Sequence, residues 1–179
     1  MGVFQSVWYR FALVFFAVYL TVFWFVLGPG NPWYAVGVVW GTCSLVPAVP
    51  GFVMRRVPLR WVRVPAGERV LHRIAGVGIF GWALDACGWN RCVAEPLRGF
   101  SGNRAGLLLL QQQARAGAVS HGICFAIHAL LAVLARFGRS PWIGAVWMLA
   151  PGVVVHLYPV LLQRSIMLRI QPLLARRRE

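Results

Sequence analysis

The chain has 179 residues, of which 59% are hydrophobic and only 12% are charged. A water-soluble domain of this length carries about a quarter charged residues and cannot hide so much apolar surface in its core. This composition excludes an ordinary soluble globular protein and favours one whose solvent is largely the lipid bilayer.

The chain is strongly basic: it has eighteen arginines and only four acidic residues, so its net charge is +14. No lysine is present, which is typical of a GC-rich bacterial gene. A basic protein could bind nucleic acid, but these arginines lie beside apolar stretches. Anionic lipid head groups are therefore the expected partners, and nucleic acid is not. The scarcity of carboxylates argues against paired-carboxylate catalysis and against a magnesium site.

Four apolar stretches meet the requirement of about 20 residues for crossing a hydrocarbon core about 30 Å thick. They occupy residues 11–27, 33–53, 116–137 and 142–162. The first stretch starts after Arg10 but is too long and too aromatic for a signal peptide. All four are therefore predicted to be membrane spans.

Residues 54–115 separate the second and third spans and carry many arginines. Within them, residues 74–89 are apolar but short, rich in glycine and interrupted by Asp85, whose burial in lipid would be costly. The segment is therefore predicted to be amphipathic or re-entrant on the cytoplasmic side. The predicted fold is an all-α integral membrane protein, one membrane domain over residues 1–179, with four transmembrane helices and this cytoplasmic-side segment.

The orientation follows from the arginines near the ends of the spans, which are retained on the cytoplasmic side. The loop at residues 28–32 has none, and the loop between the third and fourth spans has two, Arg136 and Arg139. The other sixteen of the eighteen arginines lie on the opposite side. We therefore expect a multi-pass protein of the bacterial plasma membrane with both termini in the cytoplasm.

Three histidines lie inside the predicted spans, His121 and His128 in the third and His156 in the fourth. His121 is about 18 residues before the centre of the connecting hairpin and His156 about 16 after it, so at about 1.5 Å per residue their depths nearly match. An imidazole can take a proton from a hydroxyl near neutral pH, which makes His121 and His156 candidate catalytic bases. The competing interpretation is that each histidine only hydrogen-bonds across the helices.

Polar side chains follow the cytoplasmic ends of the same spans. Arg115, Gln163 and Arg164 could hold a phosphate or a developing oxyanion there. Neither a metal nor a cofactor is predicted, because Cys87 and Cys92 lack a second pair at metal-site spacing and no P-loop or Cys-x-x-Cys-His motif occurs.

A short motif near the end of the chain resembles that of a known family. The run YPVLLQR at residues 158–164, followed by Arg169, resembles the C-terminal motif of the glycosyl-4,4'-diaponeurosporenoate acyltransferase family, small bacterial membrane proteins of carotenoid-glycolipid biosynthesis. The run GFSGNR at residues 99–104, and Arg115 with His121 ahead of an apolar span, look like further landmarks of the family. The resemblance extends over roughly residues 68–178.

The resemblance implies transfer of a fatty acyl group to a hydroxyl of a membrane-embedded glycolipid or isoprenoid at the cytoplasmic leaflet. Acyl-CoA or another acyl donor would be the co-substrate. His121 would be the general base and His156 a second base or an orienting group. Substrate binding would fall to Gln163 and to the arginines Arg115, Arg164 and Arg169.

The chain also departs from the family's pattern. A glutamate usually precedes the histidine, where this chain has Gly117-Ala118-Val119-Ser120. The alternative function is therefore a non-catalytic membrane subunit whose basic face binds lipid or a membrane protein partner, including another copy of itself. In that case the histidines would be structural.

Overall fold

A computed structural model of the chain describes residues 3–46, 57, 63–98, 103–138 and 141–175. Every regular element within these ranges is a helix, so the all-α prediction is confirmed for the described residues. In chain order the helices are α1 (Val3–Val26), α2 (Pro32–Leu45), α3 (Glu68–Ile74), α4 (Val77–Ala86), α5 (Glu95–Arg98), α6 (Arg104–Ala135), α7 (Pro141–Gly152) and α8 (Tyr158–Ala175). The π-helical turns Asn90–Ala94 and Val153–Leu157 precede α5 and α8.

Two helical stretches in the described residues are long and apolar enough to cross a membrane. They are α6, with 32 residues, and Pro141–Ala175, with 35 residues, which comprises α7, a π turn and α8. The predicted spans 116–137 and 142–162 lie largely within them. Helix α6 starts at residue 104, well before the predicted span 116–137. Helix α8 ends at residue 175, well beyond the predicted span 142–162.

The first two predicted spans stay predictions. The apolar part of α1 is Leu13–Val26, and α2 has only 14 residues, or about 21 Å at the helical rise. The last part of the predicted span 33–53 lies outside the described residues, which end at residue 46 on this side of the chain.

The predicted cytoplasmic-side segment contains α3, α4, α5 and the first π turn. Helix α4 has 10 residues, so it measures about 15 Å, half of a hydrocarbon core. Gly76, with φ +67°, separates α3 from α4, a backbone conformation that favours glycine. Residues 54–56, 58–62 and 99–102 of this segment lie outside the described residues.

The chain forms two compact units. The first unit comprises Met1–Pro50 and Ser120–Leu157, and the second comprises Gly51–Val119 and Tyr158–Glu179. Each unit is therefore built from two separate stretches of the chain. The prediction of one membrane domain stays a prediction.

In the first unit, α1 and α2 form a tight helical hairpin. The side chain of Asn31 caps α2 by accepting a hydrogen bond from the backbone N of Trp33 at 2.9 Å, and Pro32 starts the first turn. Gly37 and Gly41 let α1 approach closely. A Cβ on Gly37 would lie 1.7 Å from Oη of Tyr19, so only glycine leaves room for this ring in its present position.

The core of the first unit is built on α2. Tyr34 and Val38 are fully buried and pack with Leu131 of α6 and Met148 of α7. The Tyr34 hydroxyl donates to the backbone O of Leu20 at 3.2 Å, which satisfies the buried phenol.

The two turns of the first unit lie against each other. Pro29 packs on Gly138 and Gly144, and a Cβ on Gly144 would lie 3.3 Å from Cβ of Pro29. Next to them, the guanidinium carbon of Arg136 lies 3.8 Å from the ring centroid of Trp142. Both turns are thus at the same end of the unit.

Large apolar side chains on α1 face outward. Phe11, Phe15 and Phe25 are 70%, 74% and 81% exposed. A run of exposed phenylalanines on one helix is unfavourable in water, because burial of apolar surface is worth about 25 cal/mol per Å². Lipid chains would remove that cost.

The second unit packs α3 and α4 with the start of α6 and with α8. Its buried core contains side chains from a loop and from both long helices. They are Val64, Ala114, Ala118, Met167 and Leu168. The rings of Phe80, on α4, and Tyr158, at the start of α8, stack with centroids 5.0 Å apart.

Candidate active site

The first unit brings together the two histidines that were predicted to lie at matched depth. His121 is on α6 and His156 is in the π turn Val153–Leu157. Their Nδ1 atoms are 3.1 Å apart and their ring centroids 5.4 Å apart, so the rings share a hydrogen bond. His156 is completely buried, whereas His121 keeps part of its surface exposed.

The π turn that carries His156 follows a proline and a glycine. Proline within a helix removes one backbone hydrogen bond, and π turns often occur at functional positions. Pro151 and Gly152 immediately precede the turn. Gly152 also accommodates the ring of His128, because a Cβ there would lie 2.6 Å from Cβ of His128 and 2.8 Å from its Cγ.

A threonine from α2 joins the histidine pair to a third imidazole. Thr42 Oγ1 lies 2.8 Å from Nε2 of His156 and 3.3 Å from Nε2 of His128. His128 in turn donates from Nδ1 to the backbone O of Met148, at 2.8 Å. Thr42 and His128 are fully buried. The side chains of His121, His156, Thr42 and His128 therefore form one continuous chain of hydrogen bonds, the histidine chain.

Two of these four residues were not predicted as site residues. The sequence places His128 seven residues after His121, on one face of the helix, which was the available signal for it. Thr42 gave no signal, because a single threonine inside an apolar stretch usually bonds only to its own helix. Here Oγ1 bonds to the backbone O of Val38 of its own helix, at 2.8 Å, and also contacts the two imidazoles.

The second unit holds a cluster of charged groups around Arg164. Arg164 donates from Nε to Oε2 of Glu68 at 2.8 Å, and Nη2 contacts Oε1 of the same carboxylate. The two side chains are half-buried. Arg164 was predicted as an anion-binding residue, and the structure shows that Glu68 already holds it in a two-pronged ion pair.

His72 completes this cluster. Its Nε2 lies 3.8 Å from Oε2 of Glu68, and neither ring nitrogen has a hydrogen-bond partner among the described residues. Burial lowers the pKa of His72 below its ordinary value; the nearby Glu68 carboxylate opposes this and Arg164 adds to it. Glu68 and His72 are one helical turn apart, which is the sequence signal that could have revealed them.

The remaining predicted substrate-binding residues are also in the second unit. Arg115 donates from Nη2 to the backbone O of Val57 at 2.8 Å. Gln163 packs on Gly117, where a Cβ would lie 3.2 Å from its Nε2. Arg169 is exposed. The structure thus groups His121 with His156 in one unit and the predicted substrate-binding residues in the other.

No set of three or more histidine, cysteine, aspartate or glutamate side chains in the described residues has the arrangement of a metal site. The imidazoles of the histidine chain are arranged instead as hydrogen-bonding partners of one another and of Thr42.

Comparison with known proteins identifies a family. Residues 53–176 match the family described as CrtO, glycosyl-4,4'-diaponeurosporenoate acyltransferase. The comparisons with curated proteins and with solved structures gave no match. The matched residues contain His121, His128 and His156 together with Arg115, Gln163, Arg164 and Arg169. Helices α1 and α2 precede them, and α2 supplies Thr42. Since the match covers more than half of the chain, the protein belongs to the CrtO family.

Proposed function

We propose that the protein is a membrane acyltransferase. It would transfer a fatty acyl group from a donor such as acyl-CoA to a hydroxyl of a membrane-embedded glycolipid or isoprenoid at the cytoplasmic leaflet, as a step of carotenoid biosynthesis. The observation that supports this most is the contact between His121 and His156, within the residues that match an acyltransferase family. Acyl transfer to an alcohol needs a base of this kind, because a hydroxyl is a poor nucleophile until its proton is removed.

The proposed reaction uses His121 as the base. The acceptor oxygen attacks the acyl carbonyl carbon while Nε2 of His121 takes the hydroxyl proton. The tetrahedral intermediate then collapses, so that the bond from the acyl carbon to the thiolate of the donor breaks and His121 returns the proton to that sulfur. The products are an ester and a free thiol. His156 orients His121 through the contact between their Nδ1 atoms.

Substrate binding is proposed for the charged groups of the second unit. Arg169 is exposed and can meet the phosphates of a donor or of a lipid head group. Arg164 contacts Glu68 through Nε and Nη2, so both Nη1 hydrogens and the second Nη2 hydrogen are the donors that this ion pair does not use. Arg115 and Gln163 are the other proposed binding residues.

The proposed setting is the bacterial plasma membrane, with several passes and both termini in the cytoplasm. The two long apolar helices and the outward phenylalanines of α1 support an environment of lipid. The distribution of arginines supports the orientation. Anionic lipids are the proposed partners of the basic face.

One observation favours a second function, that of a non-catalytic lipid-binding or protein-binding subunit. The glutamate that the family pattern places before the histidine is replaced here by residues without a carboxylate, Gly117 to Ser120. In that case the histidine chain would serve only to hold α2, α6 and α7 together.

The test is an acyl-transfer assay on the full-length protein in lipid nanodiscs. The probes are radiolabelled palmitoyl-CoA as donor and glycosyl-4,4'-diaponeurosporenoate as acceptor, and the acylated lipid is quantified. We expect His121→Ala to lower turnover by roughly 10²–10⁴-fold, the usual worth of a general base. Ser44→Ala is the control, because Ser44 is exposed and its hydroxyl only bonds to Trp40 of its own helix.

Product formation by the wild type and its loss in folded His121→Ala would support the acyltransferase. An equally active His121→Ala would remove His121 as the base. A folded wild type that forms no acylated lipid, and whose nanodiscs still retain the acceptor, would favour the non-catalytic subunit.

A further inference from the structure

The histidine chain ends at a group that can only accept a hydrogen bond. The backbone O of Met148 lies 2.8 Å from Nδ1 of His128, so the hydrogen of that contact must be on His128 Nδ1. In the neutral ring the other nitrogen, Nε2, then carries a lone pair and acts as an acceptor. The carbonyl of Met148 therefore determines which atom donates and which accepts in the first hydrogen bond of the histidine chain.

Thr42 determines which ring nitrogen of His156 carries the hydrogen. Its hydroxyl has one hydrogen and is surrounded by three groups that can only accept: the backbone O of Val38 at 2.8 Å, the backbone O of Val39 at 3.0 Å, and Nε2 of His128 at 3.3 Å. His156 is the one remaining neighbour in the described residues, with Nε2 at 2.8 Å. If Thr42 donated to His156, its oxygen would receive no hydrogen bond. With the hydrogen on Nε2 of His156, Thr42 accepts that bond and still donates its own hydrogen to one of the other three groups. The hydrogen between them therefore belongs to Nε2 of His156.

The hydrogen bond between His156 and His121 determines the tautomer of His121. Since His156 carries its hydrogen on Nε2, its Nδ1 has the lone pair and accepts from Nδ1 of His121 at 3.1 Å. The neutral His121 ring then carries no hydrogen on Nε2. No described residue hydrogen-bonds to that atom, and the ring is partly exposed. The outer nitrogen of the chain is thus an available proton acceptor.

We propose that Thr42 and His128 are positioning residues that, through His156, hold His121 in the tautomer with hydrogen on Nδ1 and a free lone pair on Nε2. This inference rests on the proposed function in so far as Nε2 is the base of acyl transfer. A base in the other tautomer would present a hydrogen to the acceptor hydroxyl and could not take its proton. In known triads a third group fixes the tautomer of the histidine in the same way, without itself becoming protonated.

The inference extends the site into a part of the chain that the family match does not reach. Thr42 lies on α2, whereas the matched residues begin at 53. The N-terminal helical hairpin would then contribute to the chemistry as well as to anchoring.

The direct test is nitrogen NMR on the full-length protein in detergent micelles, with isotope-labelled histidine. The chain has four histidines, so there are few ring signals, and those of His121 are the ones missing in His121→Gln. In the wild type we expect Nδ1 of His121 to have the chemical shift of a protonated nitrogen and Nε2 that of an unprotonated one. In Thr42→Val, which keeps the shape but removes the hydroxyl, we expect signals of the opposite tautomer to appear.

The kinetic test uses the same variants in the acyl-transfer assay. We expect Thr42→Val to lower kcat by about 10–100-fold with little change in KM, by analogy with the range found for the hydrogen-bonding partners that orient metal-binding histidines. Thr42→Ser restores the hydroxyl and is expected to restore most of the activity. Ser44→Ala, which removes an exposed hydroxyl from the same helix, is the matched control. A Thr42→Val protein that fails to fold is replaced by His128→Phe, which interrupts the chain one link further on.

The outcomes separate this inference from the proposed function. Hydrogen on Nε2 of His121 in the wild type would overturn the inference, and so would Thr42→Val with wild-type tautomers and wild-type kcat. If the tautomers are as expected and shift in Thr42→Val, but the wild type transfers no acyl group, the fixed tautomer stands and the acyltransferase function fails.

Discussion

Glu68 is one of only four acidic residues in the chain, and it holds the guanidinium of Arg164. We expect Glu68→Gln to lower the free energy of unfolding by about 1–3 kcal/mol, because it leaves a half-buried cation without its counter-charge. The measurement is unfolding by sodium dodecyl sulfate titration in mixed micelles. Glu95→Gln is the control, since Glu95 is exposed on α5. Equal effects of the two substitutions would show that the ion pair adds nothing to stability.

His72 makes stability depend on pH. Because burial lowers its pKa in the folded protein, the ring is neutral in both the folded and unfolded states above its ordinary value of 6.5. As the pH falls below that value, the unfolded chain binds a proton that the folded chain does not, so the free energy of unfolding decreases. We expect the decrease between about pH 7 and about pH 5 to be smaller in His72→Asn than in the wild type. Parallel pH profiles for the two proteins would contradict this.

The residues that the sequence predicted and those it missed differ in how far apart their partners lie along the chain. His121 and His156 are joined by one hairpin, and a constant rise along two antiparallel helices was enough to predict their matched depth, at which the structure brings the two rings into contact. Thr42 is 86 residues from His128 and 114 from His156. No periodic pattern in the sequence encodes such a pairing, and the same holds for Glu68 and Arg164, which are 96 residues apart.

Among the helices, the α1–α2 hairpin depends on the absence of side chains at two positions of α2. A Cβ on Gly41 would lie 2.0 Å from Cε2 of Phe16, a buried ring of the core. We expect Gly41→Ala to lower the free energy of unfolding by about 1–3 kcal/mol, the usual cost of overpacking. The measurement is again unfolding in mixed micelles.

The control for this substitution is Gly122→Ala in α6, where an added Cβ would meet nothing within 4 Å. That change is expected to be neutral or to stabilise the helix by up to about 1 kcal/mol, because alanine has the higher helix propensity. If Gly41→Ala lowered the free energy of unfolding no more than Gly122→Ala does, the result would contradict the close approach of α1 to α2 at Gly41.

Helix type was easier to predict from the sequence than helix length. Apolar stretches and the turn at residues 28–32 marked α1, α2 and the two long helices. The predicted span 116–137 begins later than α6 because residues 104–115 include two arginines and three glutamines, and hydropathy reports lipid contact rather than helical structure. The π turn around His156 left no trace in the periodicity, since one extra residue in a turn shifts the pattern too little to detect.

At the scale of the whole molecule, the arginine distribution makes a prediction about membrane sides. In a protein whose four native cysteines are replaced, a cysteine at Phe137 should react with an impermeant thiol reagent added outside the cell. Phe137 is suited to this because it is exposed in the turn after α6. A cysteine at Arg91 should react only after the cells are opened, because most arginines lie on the cytoplasmic side.

Labelling of position 91 in intact cells would contradict the proposed orientation. Labelling of position 137 only after lysis would do the same. A cysteine at position 124, where the native side chain is fully buried, serves as the unreactive reference on both sides.

The carbonyl of Met148 has a consequence for how this site could change over evolution. The group that sets the order of hydrogens along the histidine chain belongs to the main chain, so no replacement of residue 148 deletes it. A different side chain there alters packing and leaves the acceptor in place. Relatives could therefore share the same proton arrangement with any residue at position 148. They would be recognised by a backbone of α7 that passes the ring of His128, rather than by a shared amino acid.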